Sequence, residues 1–133
     1  MALDYKKLVV WQRADDLFIE VHRLTHQRFP VEERYELGQQ MRRAAFSVPA
    51  NIVEGNARRT SGDRLRFFNI ASASLAELTY GLHAARRLGY IGDAEAARLH
   101  AIARSVTAPL YGLIRRQSAS LSREAKPSAS PSR

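Results

Sequence analysis

The chain has 133 residues, a net charge of +8 from 21 Lys and Arg against 13 Asp and Glu, and no cysteine. That length suits one domain around one core, and the absence of thiols excludes disulfides, cysteine nucleophiles and Cys-containing zinc sites, in keeping with a reducing, cytoplasmic home. The opening MALDYKKLVV lacks the apolar stretch of a signal peptide, and no run approaches the roughly eighteen apolar residues of a membrane span, so neither export nor membrane insertion is expected.

The first helix is expected over Lys7 to Gln27, because Val10, Ala14, Leu17, Val21 and Leu24 recur at alternating spacings of four and three and so form one apolar stripe. Phe29-Pro30 stops it, since a residue before proline is pushed away from helical dihedrals. The second helix is expected from Glu32 to about Asn56, with Glu32, Glu33 and Glu36 at the positive end of its dipole and Leu37, Met41, Ala44, Val48 and Ile52 as its stripe. Pro49 lies inside it; the apolar rhythm keeps its phase across the proline, which argues for a kink rather than a break.

The third helix is expected to begin at Ser61-Gly62-Asp63, with Ser61 or Asp63 as N-cap, and to end at Leu88 with Gly89 as the C′ residue. Leu65, Phe68, Ala71 (or Ser72), Leu75, Leu78, Leu82 and Ala85 mark its buried face. The fourth is expected from an Asp93 N-cap, through Ala96, Leu99, Ala103, Val106, Leu110 and Leu113 and across Pro109, and to decay near Arg116. Residues 118–133 hold six serines and two prolines with a net charge of +2, which reads as a disordered basic tail beyond a folded domain of residues 1–117. Four stripes with spacing near 3.5 and short connections specify an all-α, antiparallel up-down-up-down four-helix bundle.

That topology sorts the charge. One pole gathers Lys6, Lys7, Arg58, Arg59, Arg64, Arg66, Arg115 and Arg116 against Asp4, Glu54 and Asp63, eight bases to three acids. The other gathers Arg28, Arg34, Arg86 and Arg87 against Glu32, Glu33, Glu36, Asp93 and Glu95. A basic pole is a candidate surface for RNA or DNA, although arginines at helix ends also serve simply as solvated partners of the dipole, and no zinc-finger, homeodomain, RRM or KH signature accompanies them.

Chemistry is hard to find. His22 and His26 share a helical face, but no Glu-x-x-His or HExxH arrangement is present, so no metal and no cofactor is expected. Asn51, Glu54 and Glu77 border the apolar stripes and read as structural polar groups; the two carboxylates differ in height by roughly 15–20 Å, too far for a shared acid–base site. Neither G-x-S-x-G, P-loop nor G-x-G-x-x-G occurs, and an enzyme is not expected. Trp11 and Phe18 on the first helix, Phe46 and Val53 on the second and Tyr80 on the third fall outside the stripes. Phe67 and Ile70 are read as widening the core. Large rings off the core point to self-association.

The segments LVVWQRA at Leu8–Ala14, QQMRRAAFSVPANIVEGNARR at Gln39–Arg59, FFNIASASLAEL at Phe67–Leu78 and AARRLGYI at Ala84–Ile91 resemble the intervening-sequence protein family of bacterial large-subunit (23S) ribosomal RNA genes. SVPANIVEG is the most specific of them; Ala73 stands where the family usually has glycine. The resemblance implies a cytoplasmic bacterial four-helix bundle, ring-shaped homo-oligomers (homopentamers), a kinship with accessory bundle proteins of retroelements that bind nucleic acid through basic surfaces, and no catalytic activity.

Overall fold

The computed structural model describes residues 4–125, which form four α-helices and two short 3₁₀ turns, with no strand among them. The helices are α1 (Val9–Gln27), α2 (Leu37–Ala57), α3 (Ser61–Arg87) and α4 (Asp93–Ala125). Each packs on its two neighbours in the cyclic order α1, α2, α3, α4. Contacts across each seam run in opposite senses: Arg13 reaches Ser105 while Arg98 reaches Glu20, Phe18 meets Phe46 while Arg42 meets Thr25, Ser47 meets Ser74 while Gly81 faces Met41, and Ser61 meets Ser120 while Arg86 meets Asp93. The bundle is therefore antiparallel.

The stripes read from spacing supply most of the core, which Phe29, Ala45 and Ile91 complete from outside them. Val10, Ala14, Leu17, Val21 and Leu24 are buried, as are Met41, Ala44, Val48 and Ile52; Leu37 and Leu65 are half-buried at the edge. On α3 it is Ala71 rather than Ser72 that turns inward. α2 and α4 pass through Pro49 and Pro109 as single unbroken helices.

The ends differ from expectation in four places, each for a local reason. Residues Tyr5–Lys7 form a 3₁₀ turn capped by Asp4, whose Oδ1 accepts from the Lys6 amide at 3.0 Å, so α1 starts at Val9 rather than Lys7. Glu32 and Glu33 begin not α2 but a second 3₁₀ turn, Val31–Tyr35; the Arg42 guanidinium takes the Arg34 carbonyl at 2.8 Å and Arg34 Nε donates to the Phe29 carbonyl at 3.1 Å, which holds this turn across the mouth of α2. Thr60, not Ser61 or Asp63, caps α3, its hydroxyl accepting from the Asp63 amide at 3.1 Å. Asp93 is the first residue of α4 rather than its cap; Glu95 reaches back to accept from the Gly92 amide at 3.2 Å.

Gly89 takes the left-handed conformation (φ 78°), and the Tyr90 and Gly89 amides donate to the Ala85 and Arg86 carbonyls, the paired bonds of a Schellman ending. At its other end α4 passes the expected boundary at residue 117 and continues to Ala125. Ser61 Oγ lies within hydrogen-bonding distance of Ser120 Oγ (2.9 Å) and of Glu124 Oε1 (3.3 Å), so the added turns lie against the start of α3 instead of leaving the body as coil. The remainder of the expected tail, residues 126–133, lies outside the described residues.

Candidate nucleic-acid interface

The α2–α3 junction assembles the basic groups. Gly55 lets the two helices approach so closely that a Cβ there would lie 2.5 Å from the Phe68 ring and 3.2 Å from Phe67 Cβ. The short connection that follows brings Arg58, Arg59, Arg64 and Arg66 together. Arg64 Nε donates to the Arg58 carbonyl at 2.7 Å, and the Arg58 and Arg66 guanidinium carbons rest 4.7 and 4.8 Å from the centre of the Phe67 ring. Lys6 and Lys7 occupy the exposed 3₁₀ turn before α1, and Arg115 and Arg116 are exposed on α4, Arg115 lying 6.0 Å from the Tyr111 ring.

Ion pairing separates the two poles. At the pole opposite this junction Arg28 pairs with Glu95 at 3.0 Å and Arg86 with Asp93 at 3.6 Å. At the basic pole only Arg58 has a carboxylate in reach among the described residues, Glu54 at 3.1 Å. Lys6, Lys7, Arg59, Arg64, Arg66, Arg115 and Arg116 make no ion pair among those residues.

The polar residues at the stripe edges divide. Asn51 is half-buried and donates to the Ser47 carbonyl at 2.8 Å and to Ser47 Oγ at 2.9 Å, and Ser74 on α3 donates to the same Oγ at 2.7 Å, a polar tie between α2 and α3. Glu54 is exposed and joined to Arg58 one turn along its own helix, not to a neighbouring helix or loop amide. Glu77 points to solvent with no hydrogen bond or ion pair among the described residues, so the structural role expected of it is not found. Carboxylates one residue off a stripe rotate outward when no buried donor meets them.

The aromatic residues divide too. Tyr5, Trp11 and Phe18 line a groove of about 340 Å³ with Phe46, Pro49, Ala50 and Val53 of α2, rimmed by Asp15 and Glu54. Trp11 meets Tyr5 edge-on at 5.0 Å and Phe18 meets Phe46 edge-on at 5.5 Å, and Phe46 remains 57% exposed. Tyr80 is not part of this surface: it is exposed on α3 and stacks on His83.

Among the described residues no three of His, Cys, Asp and Glu converge on a point. His22 and His26 lie with ring centres 4.7 Å apart, and His26 is held below the usual histidine pKa by desolvation and then by Arg42, His22 and Arg34. His100 is lowered in the same way, by desolvation and then by Arg104, His83 and Arg86. No helix among the described residues is long and apolar enough to cross a membrane.

Spacing alone did not reveal Arg42, whose Nη1 donates to the fully buried Thr25 hydroxyl at 2.9 Å, or Phe67 as the ring under two arginines. The one available signal was the position of Phe67 beside Arg66 in a basic segment.

Residues 6–112 match the model of the 23S rRNA-intervening sequence protein family. The chain belongs to this family. Among solved structures, this intervening-sequence family member is similar to a Bacteroides thetaiotaomicron protein of unknown function from the S23 ribosomal protein family, at TM-score 0.75 and 20% identity, over 80% of this chain and 99% of that one. At that identity the likeness shows a shared fold. No curated protein matches. Neither the family's description nor the neighbour's names an enzymatic activity.

Proposed function

We propose that this intervening-sequence family member is a non-enzymatic, homo-oligomeric protein that binds RNA or DNA through its basic pole. The observation that carries the reading is the unequal ion pairing: at the opposite pole two of four arginines, Arg28 and Arg86, are matched by Glu95 and Asp93, whereas at the basic pole only Arg58 of eight bases is matched among the described residues, and all of the eight but the half-buried Arg64 are exposed. Unmatched surface cations attract a polyanion and release its counterions, a contribution that is sequence-independent and salt-sensitive. Titration of a labelled RNA and a labelled DNA at several salt concentrations tests it. Changing Arg58, Arg59, Arg64 and Arg66 together to alanine should weaken binding at least tenfold and flatten the log–log salt slope by about 0.9 for each phosphate that is no longer neutralised. Wild-type protein that binds neither polymer at low salt overturns the reading.

Self-association is supported by the α1–α2 groove, where Trp11, Phe18 and Phe46 present rings to one surface. The same groove favours a second reading, a protein-interaction scaffold that needs no nucleic acid. A closed ring of bundles would repeat the basic pole around one rim. Light scattering at two concentrations should give a mass several times that of the 15.0 kDa chain, and Phe46→Glu should lower it. A wild-type monomer at both concentrations removes the oligomer from the proposal.

A further inference from the structure

Two cations on one aromatic ring are an unusual way to hold surface charge, since each repels the other. At the α2–α3 junction the Arg58 and Arg66 guanidiniums share the Phe67 ring. Arg58 is fixed along its whole length: its amide donates to the Gly55 carbonyl, its carbonyl accepts from Arg64, and its Nη2 meets Glu54 Oε2 at 3.1 Å. Phe67 is itself anchored, its Cβ packed against the helix crossing at Gly55. The side chain of Arg58 nevertheless stays 44% exposed.

A plain phosphate-attracting patch requires only positive charge and is served as well by mobile lysines. A guanidinium held against a ring offers more, because its N–H groups can meet a phosphate while its planar, delocalised cation can stack on a flat, polarisable group. Bases in a duplex have both faces covered by their neighbours, whereas bases in a single strand can be splayed onto aromatic or guanidinium planes.

We propose that the Arg58–Phe67–Arg66 stack is a platform for unpaired nucleotides, so that the basic pole selects single-stranded over double-stranded nucleic acid. This inference rests on the nucleic-acid reading above and names the form of the polymer it takes. Arg64 and Arg59 flank the platform as backbone contacts, and Glu54 sets the orientation of the Arg58 plane.

The test is fluorescence anisotropy of the full chain with labelled oligouridylate, oligodeoxythymidylate and a duplex of equal length. The wild type should bind both single strands about tenfold more tightly than the duplex at equal salt. Arg58→Lys with Arg66→Lys preserves the charge and should lower the ratio of single-strand to duplex affinity by about 5- to 10-fold, the scale of one base stack. Phe67→Leu, which keeps an apolar anchor, should lose the same preference; a far-UV helical signal like that of the wild type identifies folded variants. Equal affinity for duplex and single strands, or a lysine variant that matches the wild type on every probe, overturns the platform and leaves the basic pole standing. Wild-type protein that binds none of the three probes removes both.

Discussion

Phe68→Ala should lower the free energy of unfolding by about 3–5 kcal/mol, the usual cost of removing a fully packed phenyl ring. Phe68 is 2% exposed and sits where α2 and α3 come closest. It packs there against a position that has no side chain. A Cβ on Gly55 would lie 2.5 and 2.7 Å from two carbons of the Phe68 ring, and that ring is pinned by the core around it. Gly55→Ala gains up to about 1 kcal/mol of helix propensity but forces overpacking worth about 1–3 kcal/mol, so in the wild-type background it should destabilise. In the Phe68→Ala background the two ring contacts are gone and only the 3.2 Å approach to Phe67 Cβ remains, so the same change should cost less than in the wild type or become neutral. Gly81 is a second close approach: a Cβ there would meet Cγ of Met41, itself only 2% exposed, at 2.7 Å, so Gly81→Ala should also destabilise, independently of Phe68. Urea unfolding of the four members of the Phe68–Gly55 cycle, with Gly81→Ala beside them, measures the coupling; additive effects at Phe68 and Gly55 would refute it.

Arg42→Met should cost about 2–3 kcal/mol although it keeps most of the side chain's apolar stem. Arg42 Nη1 donates to the Thr25 hydroxyl and Nη2 to the Arg34 carbonyl, so one half-buried guanidinium joins α1, the 3₁₀ turn and α2. Hydrogen bonds to a charged group are each worth about 1.5–3 kcal/mol, and Thr25, at 0% exposed, has no water to substitute. Thr25→Val removes the bond from Arg42 and also the hydroxyl's own donation to the His22 carbonyl at 3.2 Å, while the Arg42 bond to the Arg34 carbonyl survives. Chemical denaturation of the two single variants and the double variant separates the two bonds; a loss below about 0.5 kcal/mol for Arg42→Met, the level of an ordinary surface change, would contradict the role given to the guanidinium.

Arg42 also illustrates which kind of feature spacing cannot carry. Apolar periodicity is a repeated signal: five to seven residues on each helix vote for the same face, and one ambiguous position, such as Ala71 against Ser72, does not change the outcome. A tie such as Arg42 to Thr25 is a single contact between residues 17 apart, and it leaves no pattern in either helix. The same holds for the helix ends. Gly89 announced its ending because a positive φ restricts residue choice. Thr60, Ser61 and Asp63 were each chemically able to cap α3, and only the path of the chain after Arg58 selected Thr60.

The basic pole was legible in part. Chain order and an antiparallel topology were enough to place Arg58, Arg59, Arg64 and Arg66 at one end, because short loops leave few alternatives. What the arginines do there depends on distances of a few ångströms. Arg28 and Arg86 look no different in sequence from Arg59 and Arg66, yet the first two find carboxylates and the last two do not. Glu54 and Glu77 show the converse: both border a stripe, but one joins Arg58 and the other faces water.

The bundle, the order of its helices and the composition of its core follow from the order of residues alone, because burial of a periodic apolar face is a sum over many residues and tolerates local error. Packing in three dimensions was needed to settle that α4 runs on to Ala125, that Tyr80 stands apart from the Trp11–Phe18–Phe46 groove, and that Phe67 carries two guanidiniums. Each of those depends on one or two contacts between residues far apart in the chain or on the rotation of a single side chain, and neither composition nor spacing encodes them.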